Sequence, residues 1–170
     1  MRSRFCVKPS STQLSETLEA VRANLARIEH LYNRLILIVG AAGTGKSKIL
    51  KDVARSEDIP VLNVGISLSG KLLDLTERQR VLQLPRLLEE ATGGLPAHLT
   101  LLDNTELLFD PVLRQDPLRL LQGLSRDRTI VATWLGDIES GFLTYAVPEH
   151  PEFRRYSAAD LLVVPVGQKD

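Results

Sequence analysis

The feature that most restricts this chain is GAAGTGKS at residues 40–47. It satisfies the pattern G-x-x-x-x-G-K-[ST], a motif that carries weight only between a strand and a helix. Both flanks agree. LILIVG at 35–40 is an apolar run with no polar alternation, the signature of a strand covered by helices on both faces of a parallel sheet. KSKILKDVARSED at 46–58 spaces Ile49, Leu50, Val53 and Ala54 along one helical face, and Pro60 marks its end. Gly40, Gly43 and Gly45 let the backbone curl so that successive N–H groups point inward, at the positive end of the following helix. Ala41, Ala42 and Thr44 complete the loop and Lys48 follows it, so residues 40–48 form the expected cofactor contact. Lys46 supplies a mobile point charge for β- and γ-phosphates, and the Ser47 hydroxyl suits Mg²⁺, a hard cation that prefers oxygen. The motif therefore predicts a P-loop for ATP or GTP, with ATP and Mg²⁺ as the expected cofactors.

The rest of the chain supplies the elements such a loop needs. Leu14, Leu18, Val21, Leu25, Ile28 and Tyr32 recur at helical spacing, and Ser10 with Gln13 can form a capping box, which predicts a helix over 12–32 after a flexible start at 1–11. A second strand is expected at 60–64. Residues 71–91 read as one kinked helix or two short ones, with Pro85 as the break. Further strands are expected at 98–104, 128–134 and 161–166, and a short helix from Asp116 and Pro117 to Leu124, an N-cap followed by proline at the first helical position. The stretch 137–157 is polar and irregular, with GFLTYAV at 141–147 able to pair as an edge strand. Strands alternating with helices predict an α/β, three-layer P-loop sandwich with a mainly parallel five-stranded sheet, in a single domain over 12–170.

Asp103 ends the strand 98–104 with a carboxylate at the carboxyl edge of the sheet, where it can hold magnesium through water, so Ser47 and Asp103 form the candidate metal pair. The alternative is a turn or cap residue. Many water-activating ATPases place glutamate next, but here the position is Asn104, which can orient water without acting as a base. Glu106 either reaches a γ-phosphate or sits in the first turn of a short helix. Thr133 ends the strand 128–134 and can contact both a γ-phosphate and an attacking water, or serves only strand propensity. Arg154 and Arg155 precede the last strand; they are a candidate arginine finger for a neighbouring chain or two solvated arginines, with Glu152 as a local partner of Arg155 if the stretch is helical. Trp134 and Phe142 read as packing residues.

Composition narrows the partners. Twenty-one basic residues balance 21 acidic ones, so no global basic field indicates nucleic acid, and a DNA contact would need a local patch. The single Cys6 forms no internal disulfide, the first 30 residues lack a signal-peptide core, and no apolar run approaches the roughly 18 residues of a membrane span. A cytoplasmic protein without a membrane contact is the expectation.

The loop, the segment LLDNTELLFDPVLRQDPLRLLQGLSRDRTIVATW at 101–134 and HPEFRRY at 150–156 together resemble the BrxF family, small P-loop proteins of type 3 BREX phage-defence systems. The weight falls on the Asp-Asn strand end and on QDPLRLLQGLSR. The resemblance runs over 34–166 and implies a bacterial or archaeal protein acting with other BREX proteins: a DNA methyltransferase, an alkaline-phosphatase-like protein, a large ATPase and a helicase. The chain is also similar to AAA-type ATPases, which implies an interior P-loop strand and an arginine, at the position of Arg154 or Arg155, acting across a subunit interface in a homo-oligomer. It departs from that pattern at Asn104 and in leaving no segment for a helical lid. Two functions follow: an ATPase whose output is a change of assembly, or a nucleotide-dependent interaction subunit with little hydrolysis of its own.

Overall fold

A computed structural model describes residues 8–167, so Cys6 and most of the expected flexible start lie outside the described residues. Five strands, β1 (Leu35–Gly40), β2 (Val61–Asn63), β3 (Thr100–Asp103), β4 (Ile130–Leu135) and β8 (Leu162–Pro165), form a sheet in the order β2-β3-β4-β1-β8 with every neighbouring pair parallel. This is the expected α/β architecture, with the strand that feeds the P-loop flanked by β4 and β8.

Strand alternation divides the core between the two faces of the sheet. Ile36, Ile38, Leu101, Val131 and Val164 meet helices α1 (Ser11–Leu25) and α2 (Lys46–Glu57) on one side. Leu35, Leu37, Val39, Leu102, Ile130, Ala132 and Trp134 face α3 (Val64–Leu73), α4 (Glu77–Gly93) and α5 (Pro117–Leu124) on the other. All six residues of β1 are buried. A fully buried aliphatic side chain contributes about 1.5–3 kcal/mol, so β1 is among the most firmly held segments and seats the loop that follows it. No helix of the described residues is long and apolar enough to cross a membrane.

Four local expectations are corrected. The first helix ends at Leu25 and is followed by a 3₁₀ turn at Ile28–His30, so Tyr32 is not on its buried face but 75% exposed. The break in the next helical stretch falls at 74–76, between α3 and α4, rather than at Pro85, which lies inside α4. A proline withdraws the amide that would bond the carbonyl four residues back. Here that carbonyl belongs to Val81, and the Gln115 side-chain amide donates to it at 2.7 Å, a replacement no local pattern announces.

The other two corrections concern the crossover from β4 to β8. The stretch 141–147 does not extend the main sheet. It supplies β6 (Phe142–Tyr145), the middle strand of a separate antiparallel sheet between β5 (Asp137–Glu139) and β7 (Arg154–Ser157). Arg154 and Arg155 therefore lie on a strand, so no helical spacing joins Arg155 to Glu152. This small sheet is fixed by aromatic packing. Tyr145 stacks on Phe109 at 3.5 Å, while Trp134 meets Phe109 and Tyr156 edge-on at 4.9 and 5.9 Å. Tyr156 donates to Asp116 Oδ1 at 3.1 Å, the same oxygen that caps α5 through the Arg119 amide. Trp134 packs as expected and donates from Nε1 to the Thr144 carbonyl at 3.0 Å.

Candidate functional site

The glycine loop leaves β1 at the carboxyl edge of the sheet and enters α2 directly. Gly45 caps α2 with φ +94°, a region open to glycine and strained for other residues. A Cβ on Gly40 would lie 2.6 Å from Thr44 Oγ1 and 2.9 Å from the Val166 carbonyl oxygen, so packing as well as turn geometry demands glycine there. Thr44 Oγ1 donates to the Ala41 carbonyl at 2.8 Å and Lys46 Nζ to the same carbonyl at 2.6 Å, drawing both side chains across the loop. Lys46 is 8% exposed, whereas Ala41, Ala42, Gly43 and Lys48 are exposed. The first amides of α2 have no carbonyl one turn back, and with the helix dipole they favour an anion at this end.

Beside the loop three elements bring their polar ends together. Asp103 Oδ1, at the end of β3, accepts hydrogen bonds from Ser47 Oγ at 3.1 Å and from Thr133 Oγ1 at 2.8 Å. Ser47 lies 56 residues from Asp103 and Thr133 lies 30, so only the strand order makes them neighbours. Asp103 is 8% exposed and Thr133 2% exposed. A carboxylate so enclosed is stable because donors satisfy it. Hydroxyl and carboxylate oxygens together fit a hard divalent cation such as Mg²⁺.

The backbone next to this cluster is strapped in place. Asn104 adopts φ 52°, a left-handed conformation that asparagine tolerates better than most residues. Its carbonyl accepts from the Gly65 amide at 3.2 Å, and its own amide donates to Asp103 Oδ1 at 3.0 Å. Thr105 Oγ1, fully buried, donates to the Thr133 carbonyl at 2.8 Å and ties the end of β3 to the end of β4. The Gly136 amide donates to the Gly40 carbonyl at 3.3 Å and joins β4 to β1 in the same way. Thr105 has no signal in the sequence, since a threonine after a strand carries no pattern of its own.

The other expected residues are placed elsewhere. Glu106 stands in the first turn of a 3₁₀ helix, Thr105–Phe109, and is near enough to Tyr145 to act on its hydroxyl. The Tyr145 pKa is pushed up to about 12, first by burial and then by the charges of Glu152 and Glu106. Tyr145 also donates to Glu152 Oε2 at 3.3 Å. Burial likewise raises Tyr156, reinforced by Asp116. Arg155 holds its guanidinium 3.3 Å from the centroid of Phe142, a cation–π contact within its own sheet, and Arg154 Nη1 donates to the Phe153 carbonyl at 3.0 Å.

No protein-family model matches this chain, and no curated protein matches it. Among solved structures it is similar to C. elegans PCH-2, with a TM-score of 0.40 and 20% identity, over 97% of this chain and 44% of that one. The chain thus spans less than half the length of that relative.

Proposed function

We propose that this protein binds Mg·ATP at its carboxyl edge. The observation that carries the reading is the hydrogen-bonded Ser47–Asp103–Thr133 cluster beside the glycine loop, with Asp103 and Thr133 buried. In this reading the amides of 43–47 receive phosphate oxygens, and Lys46 turns from the Ala41 carbonyl to the β- and γ-phosphates. Ser47 and Asp103 would hold Mg²⁺, which neutralises phosphate charge. Thr133, bonded to Asp103, would respond to the γ-phosphate.

Between the two outputs, the placement of the acids favours a nucleotide-dependent switch over fast hydrolysis. Asn104 occupies the position next to Asp103 and cannot take a proton, and the charge of Glu106 acts on Tyr145. Arg154 or Arg155 acting on a neighbouring chain would have to leave its present contact. The role in BREX defence rests on the resemblance of residues 101–134 and 150–156. The test is equilibrium binding of ATP to the purified chain with and without Mg²⁺, beside steady-state turnover. The proposal expects magnesium-enhanced binding and slow turnover that does not rise with protein concentration. No ATP binding at millimolar nucleotide would refute the site, and turnover rising with concentration would restore the shared-site ATPase.

A further inference from the structure

The amino edge of the sheet, opposite the P-loop, gathers a second set of residues that the nucleotide reading leaves unused. Three segments meet there through the backbone: the Arg34 amide donates to the Ser125 carbonyl at 3.1 Å, the Ile130 amide to the Arg34 carbonyl at 2.8 Å, and the Thr129 amide to the Ala97 carbonyl at 3.1 Å. Arg34 Nη2 donates to the Arg126 carbonyl at 3.1 Å, and the Arg126 guanidinium lies 5.5 Å from the centroid of the Tyr32 ring. Tyr32 is 75% exposed and Leu31 beside it 43%. An exposed tyrosine held under an exposed arginine presents both a π-face and a cation.

Arg34 and Arg126 are among the described basic side chains that make no ion pair. Arg22, Arg55, Arg86, Arg114 and Arg119 each lie within 4 Å of a carboxylate. At the amino edge Arg34 and Arg126 have no carboxylate partner among the described residues. Arg27 and Arg128 are satisfied instead by the Asn24 side chain and by the Thr92 carbonyl, at 2.6 Å each. Glu29, Asp127 and Asp160 temper the positive field without pairing to these arginines. A guanidinium has five N–H donors, and the bonds Arg34 and Arg126 make within the chain leave donors free for phosphate.

We infer that the amino edge around Tyr32, Arg34 and Arg126 binds single-stranded nucleic acid, one base stacking on Tyr32 and adjacent phosphates meeting the two arginines. Aromatic stacking accepts any base, and arginine recognises phosphate without reading sequence, so the contact is expected to be sequence-tolerant and salt-sensitive. A duplex keeps its bases stacked internally and offers nothing to Tyr32.

The test is fluorescence anisotropy of a labelled 20-nucleotide oligothymidylate with the full chain, beside a duplex of equal length and dextran sulfate as a plain polyanion. The inference expects saturable binding of the single strand at low salt. The slope of log K against log salt should be about −1.4, since each phosphate contacted on a single strand adds about −0.7. Tyr32→Ala should weaken binding about tenfold, within the range of a lost base stack. Arg126→Glu should weaken it at least as much and flatten the salt slope, while Lys46→Ala should leave it unchanged. Both amino-edge positions are exposed, and an unchanged melting temperature would show that the variants fold. Absence of binding at low salt, equal binding of dextran sulfate, or equal affinity of Tyr32→Ala and parent would overturn the inference. Loss of oligonucleotide binding in Lys46→Ala would move the contact to the P-loop.

Discussion

The carboxyl edge of the main sheet and the small antiparallel sheet beside it hold polar residues by opposite means. At the carboxyl edge Ser47, Asp103 and Thr133 come from α2, β3 and β4, Ser47 and Thr133 both donate to Asp103, and Asp103 and Thr133 are buried, set by parallel strands whose register is fixed by core packing on both faces. In the small sheet Arg154 and Arg155 ride on a four-residue strand with one partner, and Arg155 rests on Phe142 of the same sheet. In the proposed reading only the first arrangement is assembled for a ligand before one arrives. The second is anchored by its aromatic underside, Tyr145 and Tyr156, while Arg155 on its outer side is exposed.

The largest effect that would break this contrast belongs to Lys46. Lys46→Ala should weaken ATP binding by roughly 100-fold or more, since charge-assisted hydrogen bonds are worth about 1.5–3 kcal/mol and more than one phosphate oxygen loses its donor. Its melting temperature should stay near that of the parent. Calorimetric titration checks the first point, and parental affinity in the variant would remove the phosphate assignment.

Asp103→Ala should cost about tenfold in ATP affinity measured with Mg²⁺ and little without it, a difference tied to the loss of an oxygen ligand. It should also destabilise the chain by about 1–3 kcal/mol, because Thr133 Oγ1 is left buried without its acceptor. Equal losses of affinity with and without the metal, read in parallel titrations, would make Asp103 a structural acceptor only.

The small sheet is expected to be sensitive to alkali instead. Tyr145 and Tyr156 both have folded pKa values above the unfolded value of 10, so the folded state binds more protons than the unfolded state as pH rises past 10. Their contribution is fully present below pH 10 and is lost as pH climbs toward the Tyr145 value of about 12. Melting temperature should therefore fall between pH 10 and 12. In Tyr145→Phe, Tyr156→Phe the fall should be shallower, and an identical pH profile would show that these tyrosines do not anchor the sheet.

The smallest effect is expected at Arg155. Arg155→Ala should lose about 0.5–1 kcal/mol, the worth of an exposed cation–π contact, with ATP affinity unchanged. Light scattering with a non-hydrolysable ATP analogue sharpens the point. If the parent assembles on the analogue and the Arg154→Ala, Arg155→Ala double variant does not, the arginines act between chains and the contrast drawn above fails.

Much of this structure is written locally. GAAGTGKS between a continuous apolar run and a helical face announces loop, strand and helix within 24 residues of sequence, because backbone freedom at glycine and burial periodicity are properties of neighbours. The caps at Ser10 and Asp116 were legible for the same reason and form as expected. The tertiary structure alone decided the rest. It set the strand order that brings Asp103 and Thr133 to Ser47, the Gln115 amide that lets Pro85 stay inside a helix, the antiparallel crossover and the meeting of Tyr32 with Arg126. Strands of three or four residues carry too few alternations to reveal their partners. A hydrogen bond spanning 30 or 92 residues depends on how both core faces close, which no window of sequence contains.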